Sequence, residues 1–268
     1  MGLGNNWRVD HKPVGGVPVA LASEADMLQM MAQDCAARAR GELNRAVTVF
    51  DCNGQAISLF QTDLDFAESL KSADIVHADG QFVVWMSRLS RGMAVPERTA
   101  TTDYFHSAAK HAAEKGLSFY LLGGTEEVNS QCADRLLELY PDLKIAGRRD
   151  GFFPPEDEAK VIDEVNASGA DIVWVGLGKP REQAFCARHH ASFSAGWVIT
   201  CGGCFNFVTG HYARAPQWMQ RSGLEWLHRM FTGPKYLIGR YAFTIPHAIW
   251  LVLWKDILGQ GNPAMKTS

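Results

Sequence analysis

A chain of 268 residues, 47% of them hydrophobic, is long enough to bury one large α/β core with a smaller appendage. Its 26 basic and 29 acidic residues leave a formal charge of −3, which excludes a global basic field for nucleic acid, so any anion site has to be local. Cys35, Cys52, Cys132, Cys186, Cys201 and Cys204 follow no repeated framework and no charged-then-apolar leader opens the chain, which is the expectation for a cytosolic protein with reduced thiols.

In chain order, Ser23 followed three residues later by Asp26 predicts a capping box at the start of a Met/Ala-rich helix that stops at Gly41. Short apolar runs at residues 46–50, 74–78, 117–122, 144–146, 171–175 and 197–200 predict buried strands. Helical patterns cover residues 55–72, 81–90, 102–115, 126–140, 156–167 and 181–190 between them. Such alternation predicts a Rossmann-like α/β fold, a parallel sheet with helices on both faces, whose ligands sit beyond the carboxyl ends of the strands. From Arg214 the chain turns aromatic and basic, which divides it into a catalytic core, 1–213, and a helical appendage, 214–268. The apolar stretch at 241–254 is interrupted by Pro246 and His247 and falls short of the roughly 20 residues that cross a bilayer. It fits a face lying on a membrane, aromatics at the headgroups and Arg and Lys toward anionic lipid, and it also fits a protein interface, including a homo-oligomer.

The polar residues cluster where the strands end: Asp51-Cys52-Asn53-Gly54, Asp79-Gly80, Gly123-Gly124-Thr125, Gly176-Leu177-Gly178-Lys179-Pro180 and Cys201-Gly202-Gly203-Cys204. Gly123-Gly124-Thr125 lets backbone amides approach a phosphate at a helix N-terminus, and an ordinary strand-to-helix turn has the same residues. Asp79 has two readings as well, a general base at the rim of a cleft or the N-cap of the following helix. The Cys201–Cys204 pair has redox or half-zinc spacing, but with no second pair nearby a glycine turn carrying two thiols fits better. Asp51 and Asp79 are too far apart in sequence to form a DxD motif, so no obligatory metal is expected.

Taken in order, Ala78-Asp79-Gly80, Leu122-Gly123-Gly124, Tyr140-Pro141, Gly151-Phe152-Phe153, Val175 to Arg181, Gly202-Gly203, Gly210, Arg214-Ala215-Pro216 and Leu224-Glu225-Trp226 resemble the WecG/TagA/CpsF glycosyltransferases, family 26. The resemblance covers residues 46–241. It implies a UDP-sugar donor, inversion at the anomeric carbon, an undecaprenyl-diphosphate-linked sugar acceptor and a chain peripheral to the inner face of the bacterial cytoplasmic membrane. It implies Asp79 as the base, with Asn53 and Arg98 beside it. Asp51, Gly123, Gly124, Thr125, Gly176, Gly178, Lys179, Pro180, Glu182, Gln183, Gly202 and Gly203 then border the donor, and Arg214, Arg221, Arg229 and Arg240 reach the lipid diphosphate. Three positions depart from the family pattern: Asp51 replaces a threonine, Thr101 a glycine, and Glu182-Gln183 reverses a Gln-Glu order. They leave the donor sugar open among N-acetylmannosamine, glucose and other hexoses. Two other classes share parts of the pattern: a Rossmann-type oxidoreductase, which lacks the GxGxxG fingerprint, and a noncatalytic membrane-surface scaffold.

Overall fold

A computed structural model describes residues 9–258. The chain opens with a hairpin, β1 (His11–Val14) and β2 (Val17–Ala20), joined by Gly15 and Gly16, whose φ values of +59° and +88° suit a tight two-residue turn. Sequence patterning misses this hairpin because Pro13 and Pro18, paired across it, interrupt both short strands. The expected capping box opens α1 (Glu24–Ala39), with Ser23 accepting from the Asp26 amide and Asp26 accepting from that of Ser23.

The core strands are β3 (Val47–Cys52), β4 (Ile75–Ala78), β5 (Ser118–Gly123), β6 (Lys144–Arg149), β7 (Ile172–Gly176) and β8 (Trp197–Thr200). They form one parallel sheet in the order β4-β3-β8-β7-β5-β6. Successive residues of a strand face opposite sides, so β7 sends Val173 and Val175 to one apolar cluster, Ile172 and Trp174 to the other. On the first face pack α2 (Gly54–Thr62), α3 (Leu64–Lys71), α7 (Glu158–Ala167) and α8 (Arg181–His189), through Ile57, Phe66, Val161 and Phe185. On the second pack α1, α5 (Thr101–Lys115), α6 (Glu126–Leu139) and α9 (Cys204–Val208), through Met31, Phe105, Leu136 and Phe205. The helix expected at 55–72 is two helices: Asp63 ends α2 and caps α3 by accepting from the Phe66 amide at 3.0 Å. Strand β3 also runs past its expected end, so Asp51 lies inside the sheet, paired with His77 of β4, rather than in the turn after it.

The C-terminal segment contains α10 (Gln217–Arg221), α11 (Glu225–Thr232) and α12 (Tyr236–Val252), which continues as a π-helical turn, Leu253–Leu258. Its aromatic composition sets it apart, but its packing joins it to the core. Ala248, Leu251 and Val252 belong to the same cluster as Val14 and Ile57, and full burial of a Leu or Val side chain contributes roughly 1.5–3 kcal/mol. Gly54 lets α12 lie close on α2, since a Cβ there would stand 2.8 Å from Ile245 Cδ1. Asp256 accepts from the Gly15 amide at 2.7 Å, fastening the far end of the segment to the hairpin turn. The continuous helix Leu237–Leu258, 22 residues, is by length and composition apolar enough to cross a membrane, where the interrupted apolar stretch at 241–254 fell short, although 39% of its 18-residue apolar window is buried.

Candidate active site

The carboxyl ends of β3, β4, β5, β7 and β8 open into a cleft of about 720 Å³ whose opposite wall comes from α11 and α12. Asp79 follows β4 at its floor. One carboxylate oxygen accepts from the Thr101 amide at 2.8 Å and the other from the Asn53 side chain at 3.2 Å. It does not cap the helix that follows it, α4 (Gln81–Leu89), whose N-cap is Gly80 with no side-chain bond. It takes the first amide of α5 instead, where Ala100 at the N-cap has no acceptor to offer. Burial alone would raise the Asp79 carboxyl. The Thr101 amide, the His77 ring, the Lys179 ammonium and the Asn53 amide outweigh burial and hold it below the ordinary carboxylate range, so it is ionised at neutral pH.

Asn53 caps α2, accepting from the Ala56 amide at 3.2 Å, while its nitrogen donates to Asp51 at 3.1 Å as well as to Asp79. Asp51 forms a buried ion pair with Lys179 at 2.6 Å. Burial works against the Lys179 ammonium, but Asp51 and Glu182 more than offset it and raise its pKa.

The glycine turns serve close packing before they serve a ligand. A Cβ on Gly123 would lie 2.2 Å from the Gly176 carbonyl oxygen and one on Gly176 would lie 2.9 Å from that of Gly202, so these strand ends touch backbone to backbone. The expected cradle of open amides is corrected by three bonds. Gly124 N–H donates to Gly176 O at 3.2 Å, and Gly178 N–H and Gly202 N–H both donate to Glu182 Oε2 at 3.0 Å. Burial, with Asp51 nearby, pushes the Glu182 carboxyl up to about 7. Thr125 caps α6 by accepting from the Val128 amide at 3.2 Å and keeps its own hydrogen to donate into the cleft. Gly203 lines the same wall, Pro180 precedes α8, and Gln183 is wholly buried beneath the floor.

The arginines divide. Arg98, expected beside the base, lines the cleft but is held by Asp103 at 2.8 Å and Glu225 at 3.0 Å. Arg214 pairs with the same Asp103 at 2.7 Å and stands behind the lining, and Arg221 is exposed on α10 away from it. Neither lines the cleft in this arrangement, although Arg214 Nη1 has no hydrogen-bond partner among the described residues. Arg229 and Arg240 do line it, their guanidinium groups 5.0 Å from the Phe207 ring centre and 4.6 Å from that of Tyr241. Arg240 Nε is buried with no hydrogen-bond partner among the described residues.

Two residues gained no role from sequence. His77 is buried behind Asp79, where its Nδ1 pairs with the Thr99 carbonyl at 2.9 Å and burial holds the ring below its usual pKa. The apolar run around it concealed it. Phe152 stands 76% exposed at the rim, while Arg181 lies over Phe153 at 4.8 Å and donates to the carbonyls of Gly151 and Phe153. An aromatic beside a glycine after β6 was the available signal.

Residues 12–262 match the model of the family described as glycosyl transferase WecG/TagA/CpsF. The chain belongs to that family. It is a glycosyltransferase, and membership implies a nucleotide-sugar donor, a lipid-linked acceptor and a place in cell-surface polysaccharide synthesis. The oxidoreductase and noncatalytic-scaffold readings give way to it.

Proposed function

We propose that the protein transfers a hexose or N-acetylhexosamine, with N-acetylmannosamine and glucose the leading candidates, from a UDP-sugar to an undecaprenyl-diphosphate-linked saccharide, with inversion. The observation that carries this reading is an ionised Asp79 at the cleft floor, each oxygen held by one donor and each with a lone pair left for a hydroxyl. Asp79 takes the proton of the acceptor hydroxyl as its oxygen attacks the anomeric carbon from the face opposite UDP. The bond from that carbon to the phosphate oxygen breaks and its electron pair leaves with UDP. Thr125 and the first turn of α6 supply the donor side with a hydroxyl and a helix N-terminus. Arg229 and Arg240 face the acceptor diphosphate, and no obligatory metal is expected.

The lipid half of the reading is supported by α12. Phe243, His247, Trp250 and Trp254 stack along it, and Phe243, Trp250, Leu253, Trp254 and Leu258 are exposed. Such a face suits peripheral docking on the cytoplasmic leaflet, with α12 lying in the interface while its other side stays on the core.

The test is UDP release across a panel of UDP-sugars with a short-chain prenyl-diphosphate saccharide, for the wild type and Asp79→Asn. The substitution is expected to leave UDP affinity nearly unchanged and to lower turnover by about 100-fold or more. Wild-type turnover in the variant, or no release with any sugar, would overturn the assignment.

A further inference from the structure

Beneath the base, four side chains form a row: Lys179, Asp51, Asn53 and Asp79. Lys179 Nζ donates to Asp51 Oδ2 at 2.6 Å and to the Asp51 carbonyl at 3.0 Å. The Asn53 amide nitrogen then donates to Asp51 Oδ2 at 3.1 Å and to Asp79 Oδ2 at 3.2 Å, and its oxygen is fixed by the Ala56 amide. Two carboxylates therefore share one NH₂ group in a site where the Asp51 side chain is 8% exposed and that of Lys179 7%. Like charges this close do not both stay ionised unless a cation accompanies them.

The other titratable groups around the pair do not supply that cation. His77 on β4 adds positive charge toward Asp79 only when protonated, and burial holds its ring below its usual pKa, so at neutral pH it is neutral; Cys52 on β3 and Cys204 on α9 are buried thiols, and Glu182 on α8 is acidic. Arg98 is committed to Asp103 and Glu225. The remaining neighbours of Asp51 are neutral donors, Thr200 Oγ1 at 3.3 Å and Gln183 Nε2 at 3.5 Å. A glutamate at 183 would press another carboxylate against Asp51. Two departures from the family pattern, Asp51 and the Glu182-Gln183 order, thus meet in one contact set whose charge is balanced by Lys179.

Resting on the assignment of Asp79 as base, we propose that Lys179 is a positioning residue. It supplies the positive charge that lets Asp51 and Asp79 share the Asn53 amide, and so holds the base charged and oriented without touching the reacting atoms. Removing the cation moves the proton affinity of Asp79 upward, and removing Asp51 as well moves it back.

The experiment is the pH dependence of kcat/KM for UDP release, from pH 5 to 8.5, on the full chain. It is repeated in a Glu182→Gln background to remove the carboxyl that titrates near neutrality, and His77, present in every variant, is common to all the profiles compared. In the Glu182→Gln background the enzyme with Lys179 and Asp51 intact is expected to show no Asp79 limb over that range. Lys179→Met is expected to lose about tenfold between pH 8 and 5, which requires the limb to move up by more than about two units. Asp51→Asn/Lys179→Met is expected to be flat again, a rescue that a merely structural lysine would not show. Lys179→Arg keeps the cation and should keep the wild-type profile, which covers the case of a Lys179→Met chain that does not fold. A Lys179→Met profile parallel to the wild type, or a double variant as acid-sensitive as the single, overturns the proposal. Asp79→Asn separates the two readings: wild-type turnover there removes base and proposal together, whereas an inactive Asp79→Asn beside an unshifted Lys179→Met removes the role of the lysine alone.

Discussion

At the strand ends, each charged side chain of the cleft floor is matched from the core itself: Asp51 by Lys179, Glu182 by the Gly178 and Gly202 amides, Asp79 by Thr101 and Asn53. Along α11 and α12 the matching is incomplete. Arg229 and Arg240 rest on aromatic faces, Arg240 Nε has no acceptor among the described residues, and a ladder of aromatic rings is open to water. A self-satisfied floor can hold its geometry before substrate arrives, as a base requires. A wall with donors and apolar surface to spare is completed by what it binds. Between the two stands the bridge from Arg98 to Asp103 and Glu225, which ties α5 to the start of α11.

The comparison is most easily broken at the aromatic ladder. Trp250 and Trp254 are 55% and 46% exposed and stack at 6.3 Å, so replacing both by serine removes apolar surface without opening the core. Sedimentation with anionic liposomes is expected to fall by roughly 10–100-fold, while UDP release with a short-chain soluble acceptor stays near wild type. Equal sedimentation would place the membrane face elsewhere. Deleting α12 would be the wrong instrument, because Ala248, Leu251 and Val252 would leave the core cluster with it.

These two regions were also unequally legible in the sequence. The floor followed from one rule, that polar residues after buried apolar runs gather at the open ends of parallel strands, and Asn53, Asp79, Lys179 and Glu182 do meet there. What escaped was tertiary. Asp51 lies inside β3, where a carboxylate breaks the apolar pattern, and only the contact with Lys179, 128 positions away, accounts for it. The glycines fitted a phosphate cradle or an ordinary turn equally well, because the crowding of Gly123, Gly176 and Gly202 depends on sheet order, which no local pattern encodes. In the tail, composition marked the change of character at Arg214 yet gave no sign that α12 returns to α2, or that Arg214 pairs with Asp103.

A smaller effect tests whether the wall is completed by the acceptor. Arg240→Ala removes the guanidinium whose Nε has no partner. A charge-assisted bond to phosphate is expected to be worth about 1.5–3 kcal/mol, so KM for the lipid-diphosphate acceptor should rise about tenfold or more with UDP affinity unchanged. A rise confined to the UDP-sugar would reverse the division of the cleft into donor and acceptor sides.

The remaining expected effect concerns the floor and is one of stability rather than of binding or rate. The Glu182 carboxyl lies at about 7 in the folded chain, raised from 4.5 by burial and by Asp51. A carboxyl whose folded pKa is raised stabilises the fold most fully below the unfolded value, and that contribution is lost as pH climbs through the folded one. The window is pH 4.5 to 7, and the loss is on the order of 2–3 kcal/mol. The wild-type melting temperature should therefore drop by several degrees between pH 5 and 8, insofar as this group governs it. Glu182→Gln still accepts from both amides through its carbonyl oxygen, has no charge to develop, and should flatten that slope. If both proteins lose stability in parallel across the window, Glu182 does not titrate there, and the slope comes from other groups.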